Sequence, residues 1–154
     1  MKKFVSLLLT ILLAITMLMH VSVFGEVDTE SLNSAMLTSI NQLRASVGQG
    51  PLVTDTQLIT IANVRAQEAS VKWSHTRPDG TQGADMIPAN KWRGENLSYI
   101  TGTEDVSEAS KIMFDNLVAS PTHYDNMVFG EFTKIGISSY VENGKITVAY
   151  MFSS

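Results

Sequence analysis

The chain of 154 residues has 15 acidic and 11 basic side chains, a hydrophobic content of 44% and no cysteine. This composition excludes a collagenous, disordered or disulfide-stapled chain. A chain of this length forms one domain and buries enough apolar surface to fold without a metal or a disulfide. The formal net charge is −4, and lysines and arginines are not clustered. Nucleic acid is therefore not expected as a partner.

The first 25 residues have the order of an export signal. Two lysines precede an apolar run over residues 4–19, and the small residue Gly25 precedes an acidic segment. We predict a signal peptide over residues 1–25, a short lead over 26–31 and the functional domain over 32–154. The alternative is an uncleaved membrane anchor with the domain facing outside, because the apolar run is long for a signal. In both cases the domain lies outside the cytoplasm, and membrane contact is expected only without cleavage.

Apolar spacing predicts two helices at the start of the domain. Apolar residues recur in steps of three and four over residues 32–47, and Gly48 follows as the residue that ends the helix. A second helix is predicted over residues 58–72. Thr54 and Gln57 precede it at the spacing of a capping box.

A long loop, a strand and a third helix follow. Residues 74–91 are rich in Gly and Pro, which predicts a loop with at most a short helix around residues 84–86. Loops of this length are often functional. A strand is predicted over residues 96–100. Apolar spacing over residues 106–117 predicts the third helix, which Ser120-Pro121 should stop.

The end of the chain predicts a β-hairpin. Residues 132–140 and 145–152 are rich in Ile, Val, Thr and aromatic residues, and they flank Asn143-Gly144. This dipeptide is favoured in a type I′ hairpin turn. Helices followed by antiparallel strands predict the α+β class, with helices packed on a sheet.

Two histidines and one glutamate are the candidates for chemistry. His75 and His123 lie in polar, turn-rich segments 48 residues apart, and no local metal-binding spacing links them. On spacing alone, a structural or surface role is the favoured interpretation. Glu95 follows Gly94, which permits a close approach at the start of a strand. The alternative for Glu95 is an ion pair with Arg93 or the capping of a backbone amide.

Ser120 and two tryptophans have weaker claims to function. Ser120 precedes His123 by three residues, but no Gly-x-Ser-x-Gly elbow surrounds it, so a role in stopping a helix is favoured. Trp73 and Trp92 bracket the long loop and could line an apolar groove. Packing within the core of the loop is the favoured interpretation of both.

Taken together, these motifs resemble the CAP superfamily, named for cysteine-rich secretory proteins, antigen 5 and pathogenesis-related 1 proteins, and in particular its short bacterial secreted members. The resemblance covers nearly the whole domain. It rests on the order and spacing of five segments, residues 40–44, 74–80, 94–97, 120–126 and 135–137. It implies an α-β-α sandwich with a central antiparallel sheet.

The resemblance also implies a cleft in which His75, His123 and Glu95 converge. The two histidines match those of the family, and Glu95 matches the acid of its Gly-Glu-Asn motif. Two imidazoles and one carboxylate can hold a divalent ion such as zinc and leave positions for water. We therefore expect a metal site of low affinity formed by these three residues.

One acid of the family pattern is missing here. The family has a second glutamate on the helix before the second histidine, and the matching place falls at or near Ser120. Asp115 and Asn116 are the nearest polar candidates upstream. The missing acid weakens the expected metal site. The cysteines and C-terminal extensions of larger members are also absent, so activities tied to them are not expected.

The resemblance leaves two functional hypotheses. The leading one is a secreted, non-catalytic module that binds an extracellular ligand, such as a lipid, a sterol or a component of the cell envelope. The alternative is a metal-assisted hydrolase or protease, in which the histidines hold the ion and Glu95 is the candidate catalytic base. A single carboxylate cannot easily serve as both ligand and base, so catalysis is the less favoured hypothesis.

Overall fold

The structure, a computed structural model, describes residues 27–154. Within this range it contains four α-helices, one short 3-10 helix and four strands. In chain order they are α1 (Thr29–Ser46), β1 (Val53–Thr54), α2 (Thr56–Val71), the 3-10 helix (Gly83–Met86), β2 (Arg93–Thr101), α3 (Val106–Ala119), α4 (Pro121–Val128), β3 (Lys134–Glu142) and β4 (Lys145–Ser153). The predicted signal peptide lies outside the described residues. Among residues 27–154, no helix is both long enough and apolar enough to span a bilayer.

The four strands form one sheet in the order β1-β3-β4-β2. β4 pairs antiparallel with both β2 and β3, whereas the two-residue β1 pairs parallel with β3. The hairpin between β3 and β4 turns at Asn143 and Gly144, with φ angles of 51° and 71°. Positive φ at both central residues is what a type I′ turn requires, so the predicted hairpin is confirmed.

Helices cover both faces of the sheet. Side chains alternate along β4, so Val148 and Tyr150 pack with α1 and α3, whereas Ala149 and Met151 pack with α2. Each of the three long helices contributes its buried stripe to one of these two apolar clusters. The predicted α+β class and α-β-α sandwich are therefore confirmed.

The starts of two helices differ from the sequence prediction. α1 begins at Thr29 because Asp28 caps it and accepts a hydrogen bond from the Ser31 amide at 2.9 Å. The last residues of the predicted lead are thus helical. The capping box at Thr54 is wrong, since Asp55 caps α2 and accepts from the Gln57 amide at 2.9 Å. Thr54 pairs with β3 instead and has no role as a cap.

A fourth helix follows the predicted helix stop. Ser120 ends α3, but it is also the residue before α4, and Pro121 occupies the first turn of the new helix. Proline is well suited to this position, because the amide it lacks would have no helical partner there. His123 therefore lies on a helix rather than in the turn that its polar surroundings indicated.

Candidate functional site

Glu95 is the centre of a buried polar cluster between β2 and α2. Its carboxylate accepts hydrogen bonds from Arg65 on α2, at 2.6 Å from Nε to Oε2 and 3.3 Å from Nη2 to Oε1. His75, on the loop after α2, places Nδ1 at 2.7 Å from Oε1. The side chains of Arg65 and Glu95 are only 1% and 3% exposed, whereas that of His75 is 52% exposed. The buried Arg65–Glu95 pair thus holds the Nδ1 edge of the His75 ring, and the rest of the ring stays accessible.

Gly83 allows this cluster to close. A Cβ atom at Gly83 would overlap Oε2 of Glu95 and Nε of Arg65. The Gly83 amide also donates to the carbonyl of His75 at 2.8 Å, which ties the two ends of the intervening turn together. The long loop therefore packs its backbone directly against the Arg65–Glu95 pair, and no side chain fits at this position.

Arg65 connects the cluster to the rest of the loop. Its guanidinium bonds Glu68 and donates to the Ser74 carbonyl at 2.9 Å, while Arg77 donates to Glu68 at 2.9 and 3.2 Å. Burial acts to lower the pKa of Arg65, but its hydrogen bonds with Glu95 and Glu68 outweigh burial and raise that pKa. The loop that carries His75 is thus held by a chain of alternating charges.

His123 reaches the same region from α4. Its ring centre lies 6.2 Å from that of His75, with the ring planes 49° apart. Burial, and then the proximity of His75, lowers the pKa of His123. Asn96 on β2 donates to the His123 carbonyl at 2.9 Å, and Asn126 donates to the Asn96 side chain at 2.8 Å. These amides fix α4 against β2.

The three side chains predicted to converge line one open cavity of about 440 Å³. Gln82 and Thr122 also contribute to its wall. In the described part of the chain, however, no group of three His, Cys, Asp or Glu side chains is arranged to hold a metal ion. Glu95 directs its oxygens to Arg65 and His75 rather than to a point shared with both imidazoles. The role of the three residues as metal ligands remains a prediction.

The other predicted candidates lie outside this cavity. Ser120 is the junction of two helices, and its hydroxyl lies 3.5 Å from that of Thr122. Asp115 is exposed on α3 and pairs with Lys111 at 2.6 Å, and Asn116 is exposed on the same helix. None of these three candidates replaces the missing acid.

The two tryptophans do not form the core of the loop. Trp73 is 47% exposed and packs against Tyr99, with ring centres 4.8 Å apart, whereas Trp92 is 58% exposed and packs against Phe129 at 5.4 Å. Neither ring lines the histidine cavity. Each ring packs on an aromatic residue outside the loop, so the interpretation of both as the core of the loop is wrong.

Sequence reasoning missed the role of Arg65. The sequence analysis predicted the helix and assigned no role to this arginine, although an arginine among the buried residues Leu58, Ile61, Ala62 and Ala69 indicates a buried charge. A buried arginine needs acceptors, and Glu95 is the carboxylate that reaches it from the sheet.

The fold and the cavity define an α-β-α sandwich with two histidines near its edge strand β2. The sequence model of CAP, the cysteine-rich secretory protein family, matches residues 37–152. The chain therefore belongs to this family, which confirms the resemblance found in its motifs. A comparison with curated protein sequences gave no match.

Solved structures share this fold at low sequence identity. An outer surface protein of Borrelia burgdorferi matches with a TM-score of 0.69 at 18% identity, covering 82% of this chain and 95% of the other. NaASP2, solved with Zn²⁺, has a TM-score of 0.62 at 16% identity, covering 83% and 82%. An extracellular protein with an SCP domain from Bacillus anthracis has a TM-score of 0.61 at 18% identity, covering 79% and 40%. At these identities, the likenesses establish the fold of this chain.

Proposed function

We propose that the chain is a secreted, non-catalytic binding module that takes its ligand in the cavity of His75 and His123. The observation that supports this proposal is the burial and hydrogen bonding of the Glu95 carboxylate. Its carboxylate is 3% exposed and accepts hydrogen bonds from Arg65 and His75. A carboxylate whose oxygens are engaged by a guanidinium and an imidazole has no oxygen free to accept a proton from a bound water, so Glu95 is poorly placed as a general base. The cavity therefore offers surfaces and imidazoles for binding, but no free carboxylate for hydrolysis.

The ligand that we propose is a lipid, a sterol or a component of the cell envelope, met outside the cell. Family membership and the extracellular SCP-domain relative of Bacillus anthracis support an extracellular role. The cavity of about 440 Å³ is within the range of small-molecule sites.

We further propose that His75 and His123 hold a divalent ion such as zinc. Glu95 occupies Nδ1 of His75, which leaves Nε2 as the free ligating nitrogen, and carboxylates often orient zinc-bound histidines in this way. The two ring centres lie 6.2 Å apart and both rings line the same cavity. A movement of the rings toward each other would let both imidazoles hold one ion. The zinc in NaASP2 also favours the proposal.

In this arrangement Glu95 acts behind His75 rather than as a direct ligand. Two protein ligands give a weak site, and such an ion would offer its remaining coordination positions to an oxygen of the ligand. His123 suits this role, because its lowered pKa keeps its imidazole neutral near pH 7. Since protons compete for imidazole, whose ordinary pKa is about 6.5, we expect zinc affinity to fall between about pH 7.5 and pH 5.5.

Calorimetric zinc titration tests the metal site. We expect His75→Ala and His123→Ala to lose more affinity than Glu95→Gln, because each removes one of two ligands. Asp115→Asn, an exposed acid outside the cavity, is the control and should bind zinc as the wild type does. Folding should survive in all four variants. Equal affinity in every protein would contradict the metal site and leave the cavity as a ligand groove.

Incubation with peptide and ester libraries, with and without a chelator, separates binding from hydrolysis. We expect no turnover by the wild type. Metal-dependent turnover that disappears in His75→Ala would instead establish a metal-assisted hydrolase and refute the binding module.

Secretion is tested at the N-terminus. The order of the basic, apolar and small-residue segments supports cleavage near Gly25. N-terminal sequencing of protein from the culture medium should therefore begin near Glu26. Cell-associated protein that retains Met1 would support the membrane anchor instead.

A further inference from the structure

Strand β2 forms one edge of the sheet, and part of its backbone faces outward. Ser154 donates to the Trp92 carbonyl at 3.2 Å, so the polar groups of Trp92 face β4. The Glu95 carbonyl faces the other way, toward Asn126. Backbone groups alternate in direction along an antiparallel strand. The amides and carbonyls of Tyr99 and Thr101 therefore point away from the sheet.

At the end of β2, these outward backbone groups lack hydrogen-bond partners in the described part of the chain. Among residues 27–154, the backbone amides and carbonyls of Tyr99 and Thr101 have no hydrogen-bond partner outside the sheet. Both residues are exposed, whereas Leu97, the preceding residue with outward groups, is buried. The open edge thus begins at Tyr99.

An aromatic pair and a lysine lie beside this open edge. Trp73 and Tyr99 pack edge to face and remain 47% and 50% exposed. The Lys145 amine lies 5.0 Å from the centre of the Tyr99 ring and 6.0 Å from that of Trp73. It donates to the Ser70 carbonyl at 3.3 Å, and no carboxylate of the described residues lies within 4.0 Å of it. We call Trp73, Tyr99, Thr101 and Lys145 the edge patch.

We propose that the edge patch binds an extended peptide segment of a partner protein. The segment adds a strand to β2 through the open backbone groups of Tyr99 and Thr101, since main-chain hydrogen bonds supply the affinity in this mode of recognition. One apolar side chain of the segment packs on Trp73. An acidic side chain two residues away, on the same face of the added strand, pairs with the Lys145 amine.

Three observations favour a peptide as the occupant. Alternating amides and carbonyls match another peptide backbone, whereas a lipid chain would leave the amides of Tyr99 and Thr101 without acceptors. The lysine amine lacks a carboxylate, which an acidic side chain supplies. A second copy of this chain, paired edge to edge, would instead bring two Lys145 amines to the same interface, where like charges repel.

The edge patch is separate from the histidine cavity. Tyr99 lies four residues beyond Glu95 on β2, a distance of about 13 Å along the strand. Binding at the patch therefore does not depend on the proposed ligand or metal, and His123→Ala should leave it unchanged.

Panning a phage-displayed library of random peptides on the purified protein supplies the probe. We expect enriched sequences to place an acidic residue two positions from an aromatic or aliphatic one. Fluorescence polarisation of a labelled enriched peptide then gives its Kd. Trp73→Ala should weaken binding about 30-fold, as the loss of an interface tryptophan does. Trp92→Ala removes a comparably exposed ring at the other end of β2 and should not change the Kd.

Two further variants separate the backbone contact from the side-chain contacts. Thr101→Pro removes one outward amide without touching a ring, which an edge position tolerates, and should weaken binding about fivefold. Lys145→Gln should abolish the preference for an acidic residue. Circular dichroism confirms that each variant is folded.

Three results would overturn the proposal. The first is that panning enriches no peptide. The second is that the wild type, Trp73→Ala and Thr101→Pro bind an enriched peptide equally well. The third is that the wild type sediments as a dimer and Thr101→Pro sediments as a monomer. The last result would assign the open edge to a second copy of the chain.

Discussion

Two buried arginines, Arg44 on α1 and Arg65 on α2, face the sheet from opposite sides and have different partners. Each is 1% exposed. Arg44 donates only to carbonyls, at distances of 2.7 to 3.0 Å, and those carbonyls belong to Gly50, Met127, Phe129 and Phe132. Arg65 donates to two carboxylates and one carbonyl. Burial lowers the pKa of Arg44, whereas carboxylate bonds outweigh burial at Arg65 and raise its pKa.

The partners indicate what each arginine does. Carbonyls are fixed parts of the backbone, so Arg44 ties the end of α1 to the segment between α4 and β3 and stabilises the fold. Arg65 binds the Glu95 carboxylate, which also contacts His75, so Arg65 links α2 to the residues of the cavity. The acceptor of a buried arginine thus distinguishes a packing role from a role near the site.

The largest effect is expected for Arg44→Met. This change removes a hydrogen-bond donor from four carbonyls. The Phe129 carbonyl keeps the Phe132 amide as a donor at 3.3 Å, whereas the carbonyls of Gly50, Met127 and Phe132 lose the guanidinium. We expect the free energy of unfolding to fall by about 4 kcal/mol or more, measured by urea denaturation. Lys111→Met, an exposed cation on α3, should change it by less than about 0.5 kcal/mol. Comparable losses in both variants would refute the structural role of Arg44.

Arg65→Met should have the next largest effect. It leaves the Glu95 carboxylate buried without its guanidinium partner, although the contact with His75 remains, so we expect a loss of about 3 kcal/mol. Adding Glu95→Gln removes the stranded charge. The double variant should therefore be more stable than the sum of the single changes predicts, by about 1 to 3 kcal/mol. Simple additivity would show that the two residues are not coupled.

Gly83→Ala tests how closely the loop approaches the Arg65–Glu95 pair. The added methyl group overlaps both side chains, so we expect a loss of about 2 kcal/mol and a weaker zinc affinity as His75 shifts. Gly50→Ala is the matched control, because no atom lies within 4 Å of its Cβ position and its φ is not positive. Equal thermal stability of the two variants would contradict the close packing at Gly83.

The helices and strands could be predicted from local sequence patterns. The errors arose where the local sequence does not determine the structure. Helical stripes and the Asn143-Gly144 turn depend on residues close in sequence, so they were predicted. The cap of α2 is Asp55 rather than Thr54 because Thr54 belongs to β1, which pairs with a strand 81 residues later in the chain. Pro121 stops one helix and starts another, and the sequence around it does not distinguish these two roles.

The candidate site could be predicted only through the family resemblance. Spacing left His75 and His123 as separate polar residues, and the resemblance indicated that they meet Glu95. The Arg65–Glu95 bond joins a helix to a strand across 30 residues, and no local pattern contains it. The structure also shows that the Glu95 carboxylate contacts both Arg65 and His75, which the match to the family motif does not reveal.

The smallest expected effect is a loss of folding stability at acid pH, which depends on the Glu68 carboxylate beside Arg65. Burial acts to raise the pKa of Glu68, but its bonds with Arg77 and Arg65 outweigh burial and lower the pKa below 4.5. A carboxyl whose pKa is lower in the folded state stabilises the fold above its unfolded pKa, and this stabilisation is lost as the pH falls through the folded pKa. Arg44 has no carboxylate partner among residues 27–154 and should add no such dependence.

Urea denaturation between about pH 6 and pH 3 measures this difference. The wild type should lose about 0.5 to 1 kcal/mol more than Glu68→Gln as the pH falls below about 4.5, because the variant has no carboxylate to protonate. Glu104→Gln, which changes an exposed acid outside both arginine clusters, should follow the wild-type profile. If the Glu68→Gln and wild-type profiles were parallel, the carboxylate network would contribute to stability without any dependence on its charge. Arg65 would then differ from Arg44 only in the geometry of its acceptors.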